Sequence, residues 1–165
     1  STPFVSGHFS PVNDFTIEAW VRPTTAKRHS LCYFHPSSAG GSTGMYTAIM
    51  ATGQLRQVFG SSSGYQTFDS PASGQPLVPT GAWTHVAVTK QGNTVRLFIG
   101  GTLVSTHTLT GTMAEANSPP NIGKDLTDAS RDFNGWVDDF RYTDGVCRYI
   151  ATFTPPTTAF PNGGV

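Results

Sequence analysis

Two adjacent aspartates near the end of the chain are the residues whose placement most suggests chemistry. Asp138 and Asp139 interrupt the strand-like run 133–142. Neighbouring side chains of a β-strand point to opposite faces, so both carboxylates can reach solvent only on an edge strand or at a strand end. One of the two is therefore predicted to have a buried or metal-linked role.

A second group of carboxylates lies just before this run, in the loop 124–134. Calcium binds carboxylate and carbonyl oxygens, so such a loop is a candidate site. The group lacks the alternate-residue spacing of a dedicated calcium-binding loop, and a solvated turn is the favoured interpretation. These secondary metal candidates are Asp125, Asp128 and Asp132.

A third cluster combines aromatic rings with planar polar side chains in the middle third of the chain. Aromatic rings can stack on a sugar face, while planar polar groups can hydrogen-bond its hydroxyls in pairs. The alternative is that Tyr33 and Tyr46 pack in the core or at its rim. The predicted ligand-binding residues are Tyr33, His35, Tyr46, Arg56, Gln57, Tyr65 and Gln66.

Composition excludes some partners. The chain has 165 residues, with ten basic and ten acidic side chains and a charged fraction of 12%. No overall field attracts nucleic acid or an anionic membrane. No apolar run approaches the roughly 20 residues that cross a bilayer, so membrane insertion is not expected. Cys32 and Cys147 allow a single disulfide, but free, buried thiols are the favoured interpretation, because both have apolar neighbours.

Glycine, proline, serine and threonine interrupt the sequence every few residues, and no window has helical periodicity, which predicts an all-β fold. Trp20 and Trp83 are predicted to be core residues, and Gly100-Gly101 is predicted to form a two-residue hairpin turn. The predicted strands are 4–9, 14–22, 30–35, 45–50, 54–59, 65–69, 83–90, 94–99, 102–109, 120–123 and 133–142.

Three segments resemble the laminin-G-like branch of the concanavalin A-like lectin/glucanase fold. They are Asp-Phe-Thr-Ile-Glu-Ala-Trp-Val-Arg-Pro at 14–23, Trp-Thr-His-Val-Ala-Val-Thr at 83–89 and Gly-Trp-Val-Asp-Asp-Phe-Arg-Tyr at 135–142. The resemblance implies one antiparallel β-sandwich of jelly-roll type over 1–160, followed by a linker or tail at 161–165. The tail from Gly145 is expected to contain one helical turn, with Tyr149 and Phe153 as packing anchors.

The resemblance also implies a cofactor. Relatives of this fold often hold a structural Ca²⁺ beside the closing strand, through its aspartate and carbonyl oxygens from the N-terminal region. Asp138 matches that position. Asp139 is then expected to pair with Arg141 or with a neighbouring strand.

The function implied by the resemblance is recognition without catalysis. The chain is expected to be a module of a larger extracellular or virion-associated protein, binding a glycan or a protein surface, with oligomers possible through that parent. One alternative is an assembly or decoration domain of a phage particle that binds no sugar. A glycoside hydrolase is disfavoured, because the two glutamates, Glu18 and Glu115, have no acidic neighbour at alternate spacing.

Overall fold

The computed structural model describes residues 12–34, 44–61, 64–113, 120–158 and 160. Within them the chain forms ten β-strands and one short 3₁₀ helix, Ala129–Arg131. The strands are β1 Phe15–Pro23, β2 His29–Phe34, β3 Met45–Ile49, β4 Leu55–Ser61, β5 Gly64–Asp69, β6 Thr84–Gln91, β7 Thr94–Ile99, β8 Thr102–Thr108, β9 Asn121–Ile122 and β10 Gly135–Asp144. The predicted strand at 4–9 lies outside the described residues.

The strands form two antiparallel sheets of five. The first sheet has the order β10-β1-β6-β7-β8, and the second has the order β5-β4-β3-β2-β9. Apolar side chains from the inner faces of both sheets make one core, which includes Phe15, Leu31, Phe34, Phe59 and Leu97. The all-β sandwich predicted from the sequence is confirmed.

Strand β1 shows how the alternation of side chains builds this core. Every second residue from Phe15 to Val21 is apolar and at most 1% exposed. Trp20 has the opposite parity, so it lies on the outer face, half-buried against the ring of His85 at 5.5 Å. The prediction that Trp20 and Trp83 are core residues is wrong for both, since neither belongs to the core between the sheets. Trp83 precedes β6, continues its outward-facing row and is 43% exposed.

Strand β10 accommodates its two aspartates by a bulge at the edge of the first sheet. Two residues of β10, Asp139 and Phe140, lie opposite the single residue Ala19 of β1. Asp139 adopts a left-handed backbone conformation with φ 47°, which aspartate tolerates better than most residues. The extra residue lets Phe140 face the core while Asp138 remains exposed.

The C-terminal tail, defined here as residues 145–158 and 160, lies across the outer face of the first sheet. The rings of Tyr149 and Phe153 are stacked at 3.6 Å, and both contact Phe98 of β7. The hydroxyl of Thr89 donates to the carbonyl of Tyr149 at 2.9 Å. The predicted role of Tyr149 and Phe153 as packing anchors is confirmed. The described part of the tail contains no helical turn, so that prediction is wrong.

Beneath the tail, Glu18 is completely buried on what would otherwise be a solvent-facing side of β1. Arg141 donates to Glu18 Oε1 from Nε at 2.8 Å and from Nη2 at 2.6 Å. The hydroxyl of Tyr149 donates to Oε2 at 2.8 Å, and His85 Nε2 lies 3.3 Å from the same oxygen. Arg141 therefore pairs with Glu18, and the prediction that it pairs with Asp139 is wrong.

These contacts determine the ionisation states of Glu18 and Tyr149, the pair that joins the tail to the sheet. Burial alone would raise the pKa of Glu18, but the contacts with His85, Arg141 and Tyr149 outweigh burial and hold that pKa below its ordinary value. Burial and the Glu18 carboxylate raise the pKa of Tyr149 to about 12. Near neutral pH, Glu18 is therefore charged and Tyr149 is a hydrogen-bond donor.

The two cysteines are free, as predicted. Cys32 is fully buried on β2, and burial raises the pKa of its thiol to about 12. Cys147 lies in the tail, and its thiol contacts the carbonyl of Tyr149 at 3.5 Å. Cys32 therefore packs as a small apolar residue and is inert as a nucleophile.

Replacing Glu18 with Gln should lower the free energy of unfolding at pH 7 by about 3–5 kcal/mol, because the Arg141 charge loses its buried partner. The folded-state pKa of Glu18 lies below the ordinary 4.5, so the carboxylate stabilises the fold above about pH 4.5. That stabilisation is lost as the pH falls through the folded-state pKa. Urea unfolding of wild type and Glu18→Gln from pH 7 to pH 3 should show the difference shrinking with acid.

Asp69→Asn is the matched control, because its ion pair with Arg56 is partly exposed. It should cost less than about 1 kcal/mol at pH 7. A difference between wild type and Glu18→Gln that stays constant across the pH range would contradict the assigned role of Glu18.

The hairpin between β7 and β8 provides a second test of tail docking. Gly100 and Gly101 have φ angles of 59° and 78°, so alanine at either position costs about 1–2 kcal/mol in backbone strain. A Cβ at Gly101 would also overlap the carbonyl of Phe153 and the ring of Pro155, whereas at Gly100 nothing lies within 4 Å. Gly101→Ala should therefore be less stable than Gly100→Ala by about 1–3 kcal/mol in urea unfolding. Equal losses would show that the tail does not dock there.

Candidate functional site

The outer face of the second sheet carries most of the predicted ligand-binding residues. Paired residues of neighbouring strands share a face. The register therefore aligns the outward side chains of Asn121, Tyr33, Tyr46, Val58 and Thr67 in one row across β9, β2, β3, β4 and β5. This row is the centre of the candidate site.

Two stacked tyrosines occupy the middle of the row. The rings of Tyr33 and Tyr46 are parallel within 5°, with centroids 5.9 Å apart. The guanidinium of Arg28 lies over the Tyr46 ring at 4.8 Å, a cation–π contact. Burial first, and then the neighbouring Tyr65 and Asp125, raise the pKa of Tyr33. Its phenol is therefore neutral and can donate or accept a hydrogen bond.

A fixed ion pair borders the tyrosines on one side. Arg56 donates to Asp69 through two hydrogen bonds of 2.6 Å, and this contact, more than any other, raises the pKa of Arg56. The two-point geometry holds the guanidinium plane in place. The Arg56 side chain is 25% exposed and the Asp69 side chain is 34% exposed, so the remaining edge of the guanidinium can reach a ligand.

Tyr65 borders the tyrosines on the other side. Its side chain is 60% exposed, and it lies opposite Gly60 on the same outward-facing parity as Thr67. Between the larger tyrosine and arginine side chains the surface is recessed, because Gly60 has no side chain and those of Ala48 and Val58 are small and buried. We call the set Arg28, Tyr33, Tyr46, Arg56 and Tyr65 the tyrosine face.

Two of the predicted ligand-binding residues are not part of this face. Gln57 points into the core, fully buried, and accepts a 2.6 Å hydrogen bond from Thr47, so its inclusion is corrected. Gln66 is engaged by Thr110, which donates to Gln66 Oε1 from its backbone N–H at 2.9 Å and accepts from Nε2 through its carbonyl. His35 lies outside the described residues.

The acidic loop uses its carboxylates to shape itself. Asp125 is buried, and its Oδ1 accepts hydrogen bonds from Thr127 and from the backbone N–H of Asp128. Asp132 accepts from the backbone N–H of Asp125. Burial would raise the pKa of Asp125, but the hydrogen bonds from Thr127 and the charge of Arg28 lower it. These contacts favour the structural interpretation of the loop.

The side chain of Asp138, the predicted calcium ligand, makes one described hydrogen bond. Its Oδ1 accepts a 2.9 Å hydrogen bond from the backbone N–H of Asp139, and the side chain is exposed. Within the described residues, no three His, Cys, Asp or Glu side chains are grouped as a metal site. Residues 1–11, part of the region expected to supply carbonyl oxygens, lie outside the described part. Calcium binding therefore stays a prediction.

Sequence reasoning missed Arg28, Asn121 and Asp69 as members or neighbours of the face. Asn121 and Asp69 follow from strand register, because Asn121 lies opposite Tyr33 and Asp69 lies opposite Arg56. Arg28 precedes β2 and is placed by its cation–π contact with Tyr46. The sequence shows which residues alternate along one strand, but it does not show how strands align. The only available signal was the opposite charge of Arg56 and Asp69 on neighbouring predicted strands.

Solved structures of low sequence identity share this fold. The CBM40 of Ruminococcus gnavus IT-sialidase bound to α2,3-sialyllactose is 17% identical, with 77% of this chain and 73% of that chain covered and a TM-score of 0.62. Domain 4 of AbnA, a GH43 extracellular arabinanase from Geobacillus stearothermophilus, in complex with arabinotriose, is 20% identical over 82% and 62% of the two chains, with a TM-score of 0.59.

Domains LG4-5 of the mouse laminin alpha1 chain are 17% identical, with coverages of 94% and 44% and a TM-score of 0.60. No curated protein sequence matches the chain. The family model described as concanavalin A-like lectin/glucanases superfamily matches residues 2–147, nearly the whole chain. The chain therefore belongs to the laminin-G-like family of the concanavalin A-like lectin/glucanases superfamily.

Proposed function

We propose that the chain is a non-catalytic recognition module that binds a glycan on the tyrosine face. The observation that carries the proposal is that two stacked, half-buried tyrosine rings, the exposed ring of Tyr65 and a fixed guanidinium share one sheet face. Rings supply area for the apolar face of a sugar, and Arg56 supplies paired donors for its hydroxyls. Both lie on rigid strands, so little conformational entropy is lost on binding.

The comparisons support this class of ligand. Two structures that share the fold are bound to oligosaccharides, sialyllactose in one and arabinotriose in the other. A protein surface is the second class of partner considered. The tyrosine face favours a glycan, because its three rings, of which Tyr65 is exposed, lie among the charged side chains of Arg28 and Arg56.

The absence of catalysis is inferred from the carboxylates. A glycosidase needs two carboxyl groups on either side of the scissile bond. Glu18 is sealed beneath the tail and held by Arg141 and Tyr149. On the tyrosine face, Asp69 is bound at both oxygens by Arg56. Neither carboxylate is available to transfer a proton to a bound sugar.

We place the module outside the cell as part of a larger protein, by analogy with the extracellular arabinanase domain. Within the described residues, no helix has the length and apolar character needed to cross a bilayer. Association with a virion remains a prediction. A decoration domain would be indicated by self-association through the tyrosine face without any response to sugars.

Titration with α2,3-sialyllactose and arabinotriose should shift backbone amide resonances on β2 to β5. Exposed stacking contributes about 1 kcal/mol per ring, so a Kd near millimolar is expected from one module. Tyr65→Ala should weaken binding about fivefold without lowering the melting temperature, because this side chain is 60% exposed.

Ile150→Ala is the matched control, since Ile150 is equally exposed at 61% but lies in the tail. It should leave the affinity unchanged. The absence of shifts on β2 to β5, or equal affinities for wild type and Tyr65→Ala, would refute the assignment of the tyrosine face. Shifts that depend only on protein concentration would favour the assembly role.

The calcium prediction is tested separately by chelation. A metal that binds only the folded state raises the melting temperature, and EDTA removes that increment. If Asp138 holds Ca²⁺, EDTA should lower the melting temperature of the wild type and leave Asp138→Ala unaffected. If EDTA leaves the melting temperature of the wild type unchanged, the prediction that Asp138 holds Ca²⁺ is wrong.

A further inference from the structure

All three tryptophans of the chain gather at one end of the outer face of the first sheet. Trp136 of β10 lies opposite Arg22 of β1. The register between β1 and β6, continued by one residue, places Trp83 on the other side of Arg22. Trp20 follows on the same face of β1, since it lies two residues from Arg22.

The two outer indoles are accessible. Trp136 is 53% exposed and Trp83 is 43% exposed, whereas Trp20 is half-buried and meets the ring of His85 edge-on. Large aromatic side chains are costly to leave in water, so two exposed indoles on either side of Arg22 are not explained by packing. The tail approaches this end of the sheet through Phe153, whose ring contacts His85, the ring partner of Trp20. No described hydrogen bond or ring contact of the tail involves Trp83 or Trp136, and its main hydrogen bonds lie at Thr16, Glu18, Thr89 and Gly101.

Polar groups are held in place between and beside the indoles. Arg22 donates from Nε to the carbonyl of Gly81 at 2.9 Å, and its guanidinium lies over the Trp136 ring at 5.0 Å. Asp138 lies two residues from Trp136 on the same face, and its Oδ1 is fixed by the backbone N–H of Asp139. Among the described residues, the remaining donors of Arg22 and Oδ2 of Asp138 have no hydrogen-bond partner.

We propose that this tryptophan face, made of Trp20, Arg22, Trp83, Trp136 and Asp138, is a second carbohydrate-binding site that takes a neutral oligosaccharide. Trp136 and Trp83 are separated by two strand spacings, about 10 Å. That distance suits two sugar rings of one chain, with one ring stacked on each indole. Arg22 donates to hydroxyls between the rings, and Asp138 accepts from them.

Charge selects a neutral ligand over an acidic one. The single positive charge of Arg22 is balanced within the face by the negative charge of Asp138, so a carboxylated sugar gains no net attraction. A protein partner is less suited, because the two indoles are separated by a cation instead of forming one apolar patch. Neutral sugars match this alternation of indole and charged side chains, since each sugar ring has an apolar face and a rim of hydroxyls.

The proposal does not depend on glycan binding at the tyrosine face, which lies on the opposite sheet. If both faces bind sugar, one module contacts two chains or two parts of one chain. Weak sites linked in this way gain in overall affinity through effective concentration. The tryptophan face can also act alone.

Intrinsic fluorescence tests this site directly, because every tryptophan of the chain belongs to it. Cellohexaose or xylohexaose should quench or shift the emission with a saturating, millimolar response. Trp136→Ala and Trp83→Ala should each weaken binding about tenfold by amide-shift titration, and Trp136→Phe should retain most of the affinity. Their melting temperatures should stay near that of the wild type, since both side chains are exposed.

Tyr65→Ala separates the two faces, because it should leave the emission response intact. No response to either neutral hexasaccharide would overturn the proposal, as would a response that persists unchanged when Trp83 and Trp136 are both replaced by alanine. A response to oligogalacturonate alone would overturn the assignment to neutral sugars.

Discussion

The buried carboxylate of Glu18 is the interaction on which the arrangement of this domain depends. It lies on the outer face of a sheet, where an ionised group would normally be hydrated. Here Arg141, Tyr149 and His85 replace water, and leaving such a charge buried and unpaired would cost several kcal/mol. The tail therefore has to stay docked, because its Tyr149 completes the shell around Glu18. The C-terminal tail is part of the folded domain.

This constraint divides the surface of the sandwich. The tail takes up the middle of one outer face, where Thr16, Glu18 and Thr89 contact it. The tryptophan face, at the end of the same sheet, and the tyrosine face, on the opposite sheet, lie apart from these contacts. Both faces present aromatic rings beside held polar groups. Stability and recognition therefore use different parts of the same two sheets.

The sequence was sufficient to predict the fold, because alternation of apolar residues in strands such as β1 is a local property. The bounds of the described strands agree with the predictions within two residues. Residue environments were harder to predict. Glu18 is buried by Arg141 and Tyr149, which lie more than a hundred positions away in the sequence. Gln57 faces inward, because neighbouring residues of a strand point to opposite faces and an error of one residue reverses the assignment. Trp83 lies one residue before β6, beyond the part of the sheet that the core covers.

The coupling between Glu18 and Tyr149 tests the central claim most directly. A double-mutant cycle with Glu18→Gln, Tyr149→Phe and the combined variant, measured by urea unfolding at pH 7, isolates the energy that the two side chains share. If the carboxylate holds the tail on the sheet, the second substitution should cost less once the first is made, with a coupling energy of about 1–3 kcal/mol. Additive losses would show that the tail and the buried charge are independent, and would contradict this account of the domain.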